Sequence, residues 1–165
     1  ALASNADGQA IIVLEDDVQI EDNFTQIISK LEKSLDKDIV IDLSGKQGFL
    51  EKERKIVNGI TLIRYSTPPL GNQGAIYGKN SAERLLANVA DFKSPSDTLR
   101  QMIWRHGVQT WSLEQGCLSH QTQEVGGSTI QNRKKIFTKI KNELMRPIYR
   151  GAIIVRNIFF DLTNR

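Results

Sequence analysis

The run IIVLEDDVQI, residues 11–20, decides how the rest of the chain is read. Its apolar half, with Ala10 before it, has the length and composition of a buried strand. Three carboxylates follow at once, Glu15, Asp16 and Asp17. Like charges side by side repel, so a chain that sets them where a buried strand surfaces gives them something to bind. The plain alternative is a solvated turn in which Asp17 caps the next helix. The chemical reading is a hard-oxygen site for Mg²⁺ or Mn²⁺, which carboxylates supply one or two at a time while substrate phosphates complete the shell. Side chains alternate along an extended segment. Glu15 and Asp17 are therefore expected to share one direction and Asp16 the other, with at most two of the three on a metal.

Outward from this run, strand and helix patterns alternate. Phe24, Ile27, Ile28, Leu31 and Leu35 recur at helical spacing. DIVIDLSG (38–45) is a second buried strand that stops at a Ser-Gly turn, and ITLIRYS (60–66) is a third. KQGFLEKERKIVNG between them is polar, a loop or a hairpin. STPPLGNQG (66–74) is a Pro/Gly-rich loop, and GAIYG (74–78) a short strand. Asn80, with Glu83 three residues on, forms a capping box for the helix SAERLLANV. SPSD opens another helix, which runs to His106 and stops at Gly107. VQTWSLEQGCLSH (108–120) returns to β pattern, and QTQEVGGSTIQN is polar loop. This order predicts an α/β domain with the acidic triplet at the carboxyl end of a strand, where open sheets hold ligands.

At 165 residues, 39% hydrophobic and 25% charged, the chain reads as one ordinary soluble domain with a real core. The single cysteine, Cys117, excludes an intrachain disulfide framework and fits a reducing compartment. The start ALASNADGQA lacks the marks of a signal peptide, and no apolar run reaches the roughly 20 residues that span a bilayer. The net charge of +3 is unevenly spread. Residues 133–165 hold nine Lys/Arg against two acids, net +7, and residues 1–132 hold 13 against 17, net −4. The expected organisation is an α/β domain over 1–132 and a basic amphipathic helical tail over 133–165, divided in two by Pro147.

An apolar strand followed by EDD also opens the receiver domains of bacterial signalling. Those need a longer βα run before the phosphorylated aspartate and a later Lys beside a proline. Asp42 lies only one helix beyond the triplet, and no strand–Lys–Pro element follows, so the receiver reading fails.

The segments VLEDDVQIEDNF, DIVIDLSG, GNQGAIYGKNSAERLL, SPSD and LSHQTQEVGGSTIQ, in this order, resemble glycosyltransferase family 25, the bacterial lipooligosaccharide and lipopolysaccharide galactosyltransferase-type enzymes. The resemblance covers roughly residues 8–132. It implies a GT-A-like, Rossmann-type nucleotide-sugar transferase domain, here expected to be N-terminally shortened because the EDD strand begins ten residues into the chain. It also implies a UDP-sugar donor such as UDP-galactose, inversion at the anomeric carbon, and a divalent metal held through a DXD-like acidic motif. A bridging cation suits a leaving diphosphate, and a carboxylate base suits an attacking hydroxyl. Carried onto this chain, Asp16 and Asp17 hold the metal and Glu15 lies beside it. Asp97, in Pro95-Ser96-Asp97, is the candidate base; an acid in the first turn of a helix is equally at home as a partner of the helix dipole. His120, in LSHQ, completes the metal shell by analogy with the broader fold, or is a polar-loop histidine.

Gln73 and Gly74 line a sugar pocket, or mark the turn into a strand. Trp104 and Trp111 stack on sugar or belong to the core, and His106 reads as a cation at a helix C-terminus. The implied acceptor is a lipid-linked oligosaccharide, and the tail fits an anionic membrane surface, giving a cytoplasmic, peripheral location. Its alternative is a helix docked on its own domain. Nucleic acid is not expected, because the body is net negative and no reader motif is present. A shortened sheet would expose an edge and favour oligomers. The alternative function is a non-catalytic remnant that binds glycan, membrane or protein.

Overall fold

The computed structural model describes residues 10–89, 95–120 and 136–163. In chain order the strands and helices are β1 Ala10–Leu14, β2 Val18–Ile20, α1 Phe24–Glu32, β3 Val40–Asp42, β4 Phe49–Val57, β5 Ile60–Thr67, β6 Gly74–Gly78, α2 Lys79–Ala87, α3 Ser96–Gln101, α4 Ile103–His106, β7 Thr110–Leu113, β8 Leu118–His120 and α5 Ile136–Thr163. Six strands form one mixed sheet in the order β1-β6-β3-β7-β5-β4, and β2 pairs with β8 in a separate ribbon. The architecture is α/β, as the alternating pattern requires.

Burial explains the order. β3 carries no exposed residue and sits between β6 and β7, so its apolar run has a partner on each edge. Ile27 and Leu31 on one stripe of α1 pack with Ile41, Leu43, Leu62, Ile76 and Leu113 in the core. The polar segment between β3 and β5 is a hairpin. Its turn is Asn58-Gly59, with φ of 50° and 78°, the left-handed pair that a tight hairpin turn demands. β4 is an edge strand with most of its side chains in water, which is why its sequence looks like loop.

Several local expectations change. α2 starts at Lys79 with Gly78 as its N-cap, and no side chain caps it. The carbonyl of Lys37 instead accepts the N–H groups of Asn80 and Ser81 at 2.9 and 3.2 Å. The Asn80 amide donates to Asp38 Oδ2 at 3.1 Å, so a tertiary contact has displaced the capping box. The helix after SPSD is broken at Met102, where ψ is 62°, into α3 and α4. Gly107 does close α4, in the left-handed conformation with φ of 66°.

His106 is not a surface cation. It is buried, its Nδ1 accepts the Val108 N–H at 2.9 Å, and its Nε2 lies 3.1 Å from the Leu99 carbonyl. That pattern fixes a neutral ring protonated on Nε2. Burial holds its pKa below the ordinary value.

α5 is one helix with Pro147 inside it, where the sequence suggested two. Its C-terminal half docks on the sheet. Ile153 is buried, and the buried Asn157 donates to Thr67 Oγ1 at 3.0 Å and to the Gln101 carbonyl at 2.8 Å. Arg150 and Ile154 border a cleft of about 240 Å³ with Pro68 and Pro69. Trp104 faces Arg156 of this helix at 5.4 Å, and Trp111 packs against the core under the Lys55 ammonium at 3.8 Å. Both rings are engaged within the fold. The loop expected over 121–132, and with it the proposed division at 132, lies outside the described residues.

Candidate functional site

Strand direction builds the site. β6 runs antiparallel to both β1 and β3, and β3 runs parallel to β7, so β1, β3 and β7 end on the same side of the sheet, where β6 begins. That edge therefore collects Glu15–Asp17, the Asp42–Gly45 turn, the 71–74 loop and Glu114–Gly116. Crevices beyond strand carboxyl ends are where open α/β sheets bind ligands.

The acidic run makes a tight turn at Asp16-Asp17 between β1 and β2. Because the chain turns, the alternation expected for an extended segment lapses: Glu15 and Asp16 are exposed and Asp17 is half-buried. Asp17 does not cap a helix either. β2 follows it directly, and Asn23 occupies the N-cap of α1. Two adjacent hard-oxygen donors on an accessible turn match the carboxylate number of sites whose shell phosphates complete. Among the described residues, no three or more His, Cys, Asp or Glu form a metal-holding group. β2 pairs with β8 in the register Val18↔His120, so the backbone of His120 lies beside the acidic turn although 103 residues separate it from Asp17.

The 71–74 loop meets this turn directly. The Glu15 N–H donates to the Gln73 carbonyl at 3.0 Å, and Gln73 is buried. Gly74 is glycine for a packing reason. A Cβ there would stand 2.5 Å from side-chain carbons of Leu14 and Leu118. The turns after β3 and β7 also touch: a Cβ on Gly45 would meet the Gly116 nitrogen at 2.4 Å, and one on Gly116 the Ser44 carbonyl at 2.4 Å.

At the centre of the edge lies a buried ion pair. Asp42 Oδ2 accepts from Arg100 Nη2 at 2.7 Å, with both side chains 2% exposed. Asp42 Oδ1 accepts the Ser44 N–H at 2.9 Å and the Ser44 hydroxyl. Arg100 Nη2 also donates to the Gly71 carbonyl at 2.6 Å. Its Nε and Nη1 are buried with no protein partner. One guanidinium thus joins α3, the end of β3 and the 71–74 loop.

Asp97 stands one turn before Arg100 on α3, half-buried. Its Oδ1 accepts the Thr98 N–H at 2.7 Å and the Thr98 hydroxyl at 3.3 Å. Asn72 donates to Ser96 Oγ at 3.4 Å and accepts the Tyr77 hydroxyl at 3.4 Å, which pins the start of α3 against the loop. One edge therefore holds Glu15, Gln73 and Gly74 in contact, with Asp16 and Asp17 in the adjoining turn and Asp97 in the first turn of α3, which Asn72 and Arg100 tie to that edge.

Sequence reasoning gave no role to Asp42, Arg100, Ser44 or Asn72. Asp42 had a signal, since it is the acid that closes an otherwise apolar strand run. Arg100 had a weaker one, as the cation one turn beyond Asp97.

Beside Gly45 opens a cleft of about 290 Å³ lined by Gln47, Glu51, Arg54, Tyr65 and Glu114. Arg54 holds both Glu51 oxygens at 3.0 Å and also reaches Glu114. The Arg54 hydrogen bonds keep the Glu51 carboxyl below its ordinary pKa, and burial raises that of Tyr65. Cys117, under the same edge, is a buried free thiol that burial pushes up to about 12, so it is an inert packing group.

The family profile described as glycosyltransferase family 25 (LPS biosynthesis protein) matches residues 2–100. No curated protein matches the chain. The match spans more than half of the 165 residues, and the chain belongs to glycosyltransferase family 25.

Proposed function

We propose that this family 25 chain, with a GT-A-like donor half, transfers a hexose, galactose by preference, from a UDP-sugar to a lipooligosaccharide or lipopolysaccharide acceptor, with inversion and with a divalent metal. The supporting observation is the convergence on one sheet edge of the Glu15–Asp17 turn, the 71–74 loop and the start of α3. Asp16 and Asp17 would hold Mn²⁺ or Mg²⁺, with His120 as a further ligand. The bound ion supplies neutralisation of charge on the leaving diphosphate.

Asp97 acts as the base. As the acceptor oxygen bonds to the anomeric carbon, the bond from that carbon to the phosphate oxygen breaks and the hydroxyl proton passes to the Asp97 carboxylate. A single displacement inverts the centre. Glu15 and Gln73, with Gly74, line the donor side. Arg100 acts through Asp97: by tying α3 to Asp42 and Gly71 it fixes where that carboxylate stands. The basic tail faces an anionic membrane on the cytoplasmic side.

The test is titration of UDP-galactose with and without Mn²⁺, followed by transfer assays. Asp17→Ala should abolish the metal-dependent part of donor binding. Asp97→Asn should keep donor binding and lose transfer by roughly 10²–10⁴-fold. Donor binding that ignores both Mn²⁺ and Asp17→Ala would overturn the metal site. No donor binding at all would leave the interaction-module reading. Transfer retained by Asp97→Asn would reassign the base.

A further inference from the structure

Met145, Ile148, Ala152, Val155, Phe159 and Leu162 follow one another along α5 at alternating steps of four and three, and all are exposed. Phe159 is 68% exposed and Ile148 65%. At the helical pitch the six fall within an arc of about 100°. Arg150, Ile153, Ile154 and Asn157, which border the sheet or its cleft, centre roughly 180° away. The helix is thus fastened by one face and turns a second, apolar stripe directly outward.

We infer that this stripe lies in the headgroup boundary of an anionic lipid bilayer. Charge decides the occupant. Residues 133–165 carry net +7 while residues 1–132 carry net −4, so the tail is the part of the chain that an anionic surface attracts. The same spacing would serve as a coiled-coil seam for a second copy. Its flanking positions, however, include Tyr149 and Arg156 and, among the described residues, no acid, so pairing two such helices would leave the Arg156 charges without a partner. Tyr149 and Arg156 instead have apolar bodies with polar tips, the type that sits at a lipid–water boundary. Among the described residues no helix is long and apolar enough to cross a membrane. A helix of 28 residues, about 42 Å long, that turns Ile, Val, Phe and Leu outward and also exposes Arg146, Arg150 and Arg156, lies in the interface plane. Docked through Asn157, it would carry the sheet edge to the surface where an amphiphilic acceptor resides. That gain rests on the transferase reading; the lipid contact does not.

Sedimentation of the full chain with vesicles tests the inference. Vesicles of phosphatidylglycerol and phosphatidylcholine in equal parts should bind it, and high salt should weaken that binding. Phosphatidylcholine alone should bind it far less. Ile148→Asp combined with Phe159→Asp should weaken binding by roughly tenfold or more. Circular dichroism and the thermal midpoint should not change, because both side chains are already in water. Binding to neither vesicle, or binding that the double variant leaves intact, overturns the inference. So does a dimer in light scattering that the variant dissociates, since the stripe would then belong to a second copy. UDP-galactose binding by the parent chain separates the two readings: its failure strikes the transferase, and its persistence in a parent chain that binds no vesicles strikes only the lipid contact.

Discussion

Two arginines in this molecule each hold carboxylates, in opposite surroundings. Arg100 meets Asp42 where both are 2% exposed, and Arg54 meets Glu51 and Glu114 where about half of each side chain is in water. The contacts are similar in kind, yet the solvent makes them different devices. A buried pair has given up its hydration, so each partner exists only on the other's account. An exposed cluster can trade every protein contact for water at little cost. The buried pair therefore fixes a position, while the exposed one shapes charge at the mouth of a cleft.

The largest effect expected from this contrast follows Arg100→Leu, which strands the Asp42 carboxylate in the core and should cost about 3–5 kcal/mol in urea unfolding. Adding Asp42→Asn should return a large part of that loss. A single variant as stable as the parent would show that the pair holds nothing.

His106 sharpens the comparison, being buried without a charged partner. Its folded pKa is lowered by burial, so the unfolded chain binds the proton first as pH falls through about 6.5. The neutral-ring contribution is present above that value and is lost as pH falls through the depressed folded pKa. As pH falls below about 6.5 the parent should lose more stability than His106→Asn, whose side-chain oxygen can still accept the Val108 N–H. Parallel stability curves would refute this assignment.

Arg54→Gln should have the smallest effect. The unfolding midpoint should stay where it is, while the Glu51 carboxyl, followed by NMR, titrates closer to its ordinary value. A marked loss of stability would place this cluster with the buried pair after all.

The sequence carried the parts of the fold that depend on burial pattern. The β1, β3, β5 and β6 segments, the α1 stripe and the Gly107 stop are all legible from apolar spacing and turn chemistry. What it hid depends on contacts between distant segments. β4 is an edge strand with charged side chains, so no alternation betrays it. The cap of α2 comes from the Lys37 carbonyl, and His106 is neutral because Leu99 and Val108 fold around it. At the site, the acidic run and the SPSD start declare themselves by residue type. Arg100 does not, because its meaning lies in reaching Asp42, 58 residues away.

Asn157 has a consequence for how this chain can change length. Its amide fixes the rotation of α5 through Thr67 and Gln101, and the outward stripe inherits its bearing from that clip. One residue inserted between Ile148 and Ile153 would swing Met145 and Ile148 by about 100° away from Val155, Phe159 and Leu162. Seven inserted residues would nearly restore their alignment. Indels in this stretch should therefore be tolerated by periodicity more than by size.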